Sequence, residues 1–312
     1  MKIALVTPAG PGTRNGNRHT ALRWAAFLRH AGHRVSVSTE DFSSAADLML
    51  ALHARRSHAS IKAFSREKPL VLALTGTDVY RDIHGSAEAR ESLELADRLI
   101  VLQPKAIDEL PARMRRKVRV VVQSASTVLR HRPVERGFRV CVIGHLREEK
   151  DPLRTLLALQ YIALPLEVVH LGAALNPDLG RRAKAATDPR YRWRGSVPHA
   201  RALRWLASSH AMVISSRMEG GANVVCEALR IGVPVLASRI SGNVGLLGSR
   251  YPGYFACGDE RALARLLTRA ATDRKFYAEL KAQVARLRPA VAPQAEARAL
   301  LSVMRDATAT RG

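Results

Sequence analysis

The chain has 312 residues, 47% of them hydrophobic, which is long for one domain, comfortable for two, and too apolar for a disordered protein. Its formal net charge is +23, and of its 50 basic residues nine are lysine and 41 are arginine. The arginines are scattered among alanines and leucines, with no basic tail, aromatic-studded basic strand or zinc finger, so composition argues for a solvated surface rather than a dedicated nucleic-acid face.

In chain order, short apolar runs alternate with helical stretches, which implies parallel sheets covered by helices on both faces. Strands are expected at Ile3–Thr7, Arg34–Ser38, Leu48–Leu52, Leu70–Leu74, Arg98–Leu102 and Val118–Val122. Apolar residues from Thr20 to His30 have helical spacing and stop at Gly32. Ser126 to Gly137 is aperiodic and arginine-rich, contains Pro133, and reads as a linker. A second series starts at Phe138, with strands at Arg139–Ile143, Leu166–Leu171, Tyr191–Arg194, Ala211–Ile214 and Val233–Ala237. From Asp259 the tail is helical and is broken by Pro289 and Pro293. The expected architecture is α/β, with two doubly wound, Rossmann-like parallel-sheet domains, 1–125 and 138–292, joined by a linker at 126–137.

Two loops of the first half carry chemistry. Ala9 to Thr20 joins strand to helix through Gly10, Gly12 and Gly16, and the helix start that follows favours an anion; Arg14 and Arg18 add charge. The loop lacks the glycine spacing of a dinucleotide fingerprint and the Gly-Lys-Ser/Thr ending of a phosphate loop. Leu74 to His84 follows a buried strand and therefore opens at the carboxyl edge of the sheet, where ligands bind in this kind of fold. It gathers Thr75, Thr77, Asp78, Tyr80, Arg81, Asp82 and His84. A helix start needs only Thr77 or Asp78, and turn chemistry does not need Tyr80, Arg81 and His84. His53 sits at another strand end beside Arg55, Arg56 and Ser57; a structural histidine and a ligand contact stay equally open for it.

In the second half, Ser215 to Leu229 places Glu219 and Glu227 eight residues apart around Gly220-Gly221, between an apolar strand and a helix. Amides at such a helix start favour anionic oxygens, and a carboxylate one turn in can accept hydrogen bonds from vicinal hydroxyls such as those of a ribose. On spacing alone, a purely structural use of both glutamates is as good a reading.

The segment resembles the paired-glutamate signature of family 4 of the GT-B glycosyltransferases, which use nucleotide sugars. Val142-Ile143-Gly144-His145-Leu146-Arg147-Glu148-Glu149-Lys150-Asp151-Pro152 is similar to that family's strand, turn and Glu-Lys pair, and Arg194-Gly195-Ser196-Val197-Pro198 to its nucleobase turn. The resemblance implies two domains facing each other across a cleft, with 293–312 crossing back to the first. It assigns Lys150 to the diphosphate, together with Gly144, His145 and Arg147, and Glu227 to the ribose. It assigns Glu219, with Gly220, Gly221, Ala222 and Asn223, to the transferred sugar, and Arg194 and Ser196 to the turn near the base. His145 stands where the family at large has arginine.

Asn15 to Trp24, Ala51 to Ser57, Leu74 to Asp82 and Ala96 to Pro104 resemble one subfamily more closely, the selenosugar synthases of selenoneine biosynthesis, in which a histidine at 145 is the usual residue. That resemblance implies transfer from a UDP-sugar, chiefly UDP-N-acetylglucosamine, to selenophosphate, with UDP and selenophosphate as substrates and no cofactor or metal. The acceptor would be held by Gly12, Gly16, Asn17, Arg18, Thr75, Gly76, Thr77 and Arg81. Glu219, Asp78 and His53 are the candidate catalytic groups. Two other readings are an ordinary family 4 transferase acting on a hydroxyl, and a basic nucleic-acid-binding α/β protein, which would leave both loops and the paired glutamates without a purpose.

The expected partners are therefore small molecules and no specific nucleic acid. No apolar stretch reaches the roughly 20 residues that span a bilayer. The N-terminal strand is broken too soon by Pro8 and Gly10 for a secretory signal. Cys141, Cys226 and Cys257 lack metal spacing and lie in or beside apolar runs, so a cytoplasmic protein with reduced, buried thiols is expected.

Overall fold

A computed structural model of the chain describes residues 1–13, 16–40, 42, 45–64 and 67–310. Arg14 and Asn15 of the glycine loop lie outside them. The chain divides into two units, Met1–Gln123 with Pro293–Gly312, and Ser124–Ala292.

The first unit is a parallel sheet of β1 (Lys2–Val6), β2 (Arg34–Ser38), β3 (Leu48–Leu52), β4 (Leu70–Leu74), β5 (Arg98–Val101) and β6 (Val118–Val120), in the order β2-β1-β3-β4-β5-β6. Strand periodicity divides its side chains between two cores. Ile3, Leu5, Leu48, Leu50, Val71 and Ile100 face the helix Gly16–His30 through Trp24 and Leu28, and the C-terminal helix Pro293–Ala309 through Leu300 and Met304. Ala4, Val6, Met49, Leu72, Leu99 and Val101 face the opposite layer, which includes Ile61, Phe64 and Leu93. The helix opening this unit begins at Gly16, a turn earlier than the apolar spacing implied.

Buried charge fastens the C-terminal helix to this unit. Glu296 is 1% exposed and accepts from Arg23 Nε at 2.8 Å and Trp24 Nε1 at 2.7 Å. Farther along, Asp306 accepts from Arg98 Nε and Nη2 at 2.8 and 2.9 Å and pairs with Arg119 at 2.6 Å. A carboxylate can be buried here because every charge is met by an opposite donor.

The second unit repeats the architecture with β7 (Phe138–Ile143), β8 (Leu166–Leu171), β9 (Tyr191–Trp193), β10 (Ala211–Ile214), β11 (Val235–Ser238) and β12 (Tyr254–Phe255), all parallel, in the order β12-β11-β10-β7-β8-β9. Two-residue β12 had no apolar run to announce it. The segment read as a linker lies along this unit: His131 N donates to Ile231 O, Arg132 N to Ala207 O and Val134 N to Ser208 O. The helical tail breaks first at Asp273, which ends the helix Glu260–Thr272 and caps Arg274–Leu287 by accepting from Lys275 N and Phe276 N. The expectation of three buried thiols holds for Cys141 and Cys226 but not for Cys257, which is exposed in the turn after β12 because that turn precedes a surface helix.

Asp306 yields a pH test. Its hydrogen bonds from Arg98, followed by the attraction of Arg119, push its pKa from 3.8 down to about 2. A depressed acid stabilises the fold above its unfolded pKa, and that contribution disappears as pH falls through the folded value. Asp306→Asn is therefore expected to weaken hydrogen-exchange protection of the Pro293–Ala309 amides at pH 7, with the gap from the parent closing between about pH 4 and pH 2.

Candidate functional site

The second unit reverses its winding between β7 and β10. The chain runs outward through β8 and β9, then returns to place β10 against the other side of β7. Such a switch point opens a crevice at the carboxyl ends of the strands. Gly144, Lys150, His170, Ser216 and Glu219 line a pocket there.

Lys150 follows β7 and Glu219 follows β10. Their Nζ and Oε1 atoms are 2.5 Å apart, with Lys150 20% and Glu219 8% exposed. Ser216 Oγ donates to the same Oε1 at 2.5 Å. The two loops are also joined through their backbones: Arg217 N donates to Glu149 O at 2.8 Å and Ser215 Oγ to Asp151 O at 2.8 Å. Asp151 is left-handed, with φ 42°, so Lys150 sits at a sharp turn, braced by Arg154 donating to Asp151 at 2.8 and 3.2 Å.

Behind Glu219 the backbone is tightly supported. Ser238 Oγ donates to Ser216 O at 2.6 Å, and Asn243 Nδ2 to Ser238 O at 2.9 Å. A Cβ at Gly242, on the helix Ser241–Leu247, would stand 2.1 Å from Glu219 O. Glycine is required there because the helix touches the glutamate backbone directly.

Gly144 and His145 are fixed from β8. His170 is fully buried; its Nε2 lies 3.2 Å from Gly144 O and its Nδ1 2.7 Å from the Tyr191 hydroxyl. A carbonyl only accepts, so Nε2 carries the proton and Nδ1 accepts from Tyr191. Burial pushes the His170 pKa down to about 4, which keeps the ring neutral. Gly172, with φ 152°, lies so close that its Cβ would stand 2.0 Å from Gly144 O. His145 Nδ1 accepts from Ala173 N at 3.0 Å, which leaves the ring proton of the neutral form on Nε2.

Gly220, Gly221 and Ala222 lead into the helix Asn223–Ile231, and Glu227 lies one turn inside it. Glu227 Oε1 meets His199 Nε2 at 2.7 Å, and this hydrogen bond raises the His199 pKa. Arg194 and Ser196, both exposed, sit in the loop between β9 and His199, while Arg147 is exposed beyond His145. Every donor-side residue expected from sequence thus lies beyond the carboxyl end of β7, β9 or β10. Sequence reasoning missed Ser216, three residues from its partner Glu219, and His170, Gly172, Gly242 and His199, whose partners are remote in the chain.

In the first unit, β3 and β4 are neighbours, and the loops after them share one carboxylate. Asp78 is fully buried and accepts from Thr75 N, Gly76 N, Val79 N and, from the other loop, Ala54 N, at 2.7–3.1 Å. Four backbone donors occupy its oxygens, so its geometry is that of a loop organiser. His53 is held at φ 77°, a strained conformation for a side-chain-bearing residue. Its Nδ1 accepts from Arg56 N at 3.3 Å, so Nε2 carries the proton and donates to Thr77 Oγ1 at 3.2 Å, with Asp82 at 3.7 Å. Burial lowers the His53 pKa. With one lone pair of Thr77 occupied, that hydroxyl can direct its own proton outward.

Arg81 is exposed, 3.3 Å from Asp82. Gly76, at φ 153°, turns the β4 loop, and Gly12, at φ 85°, turns the loop after β1. Gly16, Asn17 and Arg18 form the first turn of the helix Gly16–His30; β1 neighbours β3, so this loop opens at the same sheet edge. Among the described residues no group of three or more His, Cys, Asp or Glu side chains could hold a metal ion, and no helix is long and apolar enough to cross a membrane.

Residues 137–273 match the family model described as glycosyl transferases group 1. No curated protein matches the chain in sequence. Among solved structures, sucrose-phosphate synthase from Thermosynechococcus elongatus is similar at TM-score 0.80 and 17% identity, covering 99% of this chain and 100% of that one. Anabaena HepE in complex with UDP and glucose is similar at TM-score 0.78 and 16% identity, and in complex with UDP-glucose at 0.80 and 15%; each covers 98% of this chain and 100% of that one. The fold is therefore that of the GT-B glycosyltransferases. The second unit carries the sequence pattern of the glycosyl transferases group 1 over residues 137–273.

The contact between Gly242 and Glu219 makes a prediction. Gly242→Ala must displace backbone rather than a flexible side chain, at a cost of about 2–3 kcal/mol. It should lower the unfolding temperature and shift the backbone resonances of Ser216–Gly221. Gly85→Ala, where a Cβ meets nothing within 4 Å, should do neither. Equal unfolding temperatures for both variants would refute the constraint.

Proposed function

We propose that the protein is a selenosugar synthase, transferring a sugar, chiefly N-acetylglucosamine, from its UDP ester to selenophosphate in the cytoplasm. The observation that carries the donor half is the meeting of Lys150 and Glu219 at the β7–β10 switch point, inside the group 1 segment. UDP and UDP-glucose in the HepE structures support a uridine nucleotide as donor. Lys150 neutralises charge developing on the diphosphate, Glu227 accepts from the ribose hydroxyls, and Glu219 with the Gly220-Gly221 amides holds the sugar. Arg194 and Ser196 border the base.

Selenophosphate is an anionic, soft nucleophile and needs no base. Its selenium bonds the anomeric carbon while the carbon–oxygen bond to UDP breaks, the electron pair leaving with UDP. Water then cleaves the selenium–phosphorus bond, giving phosphate and the 1-seleno-sugar. Thr75, Thr77, Arg18 and Arg81, with the amides of Gly12, Gly16, Asn17 and Gly76, supply the donors a small trianion requires. In this reading Asp78 shapes the loop, and His53 turns the Thr77 hydroxyl toward the acceptor.

Transfer to a sugar hydroxyl is the second reading, favoured by the fold shared with a sucrose-phosphate synthase. It needs a base or a substrate-assisted route for a neutral hydroxyl, and His53 carries its proton on the nitrogen facing Thr77.

UDP release from UDP-N-acetylglucosamine is expected to depend on selenophosphate; release that ignores selenophosphate but responds to a sugar acceptor would establish the second reading. Lys150→Ala should lower kcat/KM more than His145→Ala, because Lys150 brings a full charge while His145 is engaged with Ala173; equal or reversed losses would move the diphosphate contact to His145 or Arg147. Arg81→Met should raise KM for selenophosphate severalfold and leave UDP affinity unchanged, since an apolar side chain cannot replace charge-assisted bonds to an anion. Parallel loss of both affinities would instead make Arg81 a partner in folding.

A further inference from the structure

We infer that His199 is a positioning residue for Glu227 and through it sets recognition of the donor's ribose, an inference that rests on the proposed donor site. The two side chains come from different places. His199 opens the helix His199–Ala207, just after the loop that follows β9, and Glu227 lies on the helix that follows β10. The 2.7 Å bond between Nε2 and Oε1 joins these elements beside the turn that carries Arg194 and Ser196.

Three physical points give the bond a purpose. A free glutamate loses rotamer entropy when a ligand orders it, and one already held pays less on binding. A carboxylate has about four acceptor positions, and a single ring N–H uses one, leaving the rest for a diol. An arginine at 199 would do the opposite, since its fork engages both oxygens of a carboxylate at once. The side chain of His199 is 59% exposed while that of Glu227 is 14% exposed, so truncating the histidine opens no core cavity. A change in ribose recognition is thereby separable from a change in folding.

The test is calorimetric titration of the full chain with UDP and with 2′-deoxy-UDP, alongside KM and kcat for the UDP-sugar. His199→Ala should raise the Kd for UDP about threefold to tenfold, the cost of ordering one more side chain on binding. The Kd for 2′-deoxy-UDP should rise less, and KM should change more than kcat. His199→Gln, which restores a neutral N–H donor, should recover UDP affinity, and His199→Arg should not. Unchanged UDP affinity in His199→Ala, or equal losses for the two nucleotides, would overturn the inference. Glu227→Ala tells this failure apart from that of the donor site: if it too binds UDP as tightly as the parent, the donor-site reading falls and the inference with it; if it weakens binding while His199→Ala does not, only the inference falls.

Discussion

The second unit is organised around one half-buried ion pair. Lys150 and Glu219 approach the same point from two loops, and Ser216 adds a third polar group on the same carboxylate oxygen. Withdrawing such charges from water is costly, and the pair persists only if its geometry is held by its surroundings. The fold provides that in layers. Asp151 turns the β7 loop, Arg217 and Ser215 bind it to the β10 loop, and Ser238 with Asn243 fixes the carbonyl of Ser216. Gly242 admits a helix directly against Glu219. A charged group presented this way has little freedom left to lose when it meets an anion or a hydroxyl.

The first unit uses the same economy with a different device. Asp78 spends its carboxylate on the amides of two loops, which makes the ends of β3 and β4 one structure. The strain at His53 is maintained by that structure, and the ring is oriented by a backbone amide on one nitrogen and a threonine on the other. What remains outward-facing is a threonine hydroxyl, glycine-rich backbone and arginine. That set is rich in hydrogen-bond donors and positive charge and offers no evident general base.

The large positive charge divides into two populations. Some arginines are built into the fold: Arg23 and Arg98 hold the C-terminal helix, and Arg190 reaches the carbonyls of Ile162 and Leu159 while pairing with Asp188. Arg139 lies over Trp205, and Arg269 over Phe276. Others, such as Arg81, Arg147 and Arg194, stand exposed around the two loop clusters. A guanidinium suits both uses, because it donates in several directions and is weakly hydrated.

The sequence alone determined whatever depends on local pattern. Apolar runs such as Leu48–Leu52 and Leu70–Leu74 had to be buried parallel strands, because both faces of such a strand must be covered. The run from Ser215 to Leu229 and the turn at Gly144–Asp151 marked the loops that open at the β7–β10 switch point, since glycine, charge and a following helix are all local signals. Only the tertiary structure decided which of these loops meet. The crossover that sets β10 against β7 brings Lys150 to Glu219 across 69 residues. Gly242, His170 and His199 gained their meaning the same way, from partners that no local spacing reveals. The exposure of Cys257 and the attachment of 126–137 to the second unit were likewise invisible, because burial and backbone pairing at a surface depend on what the rest of the chain places there.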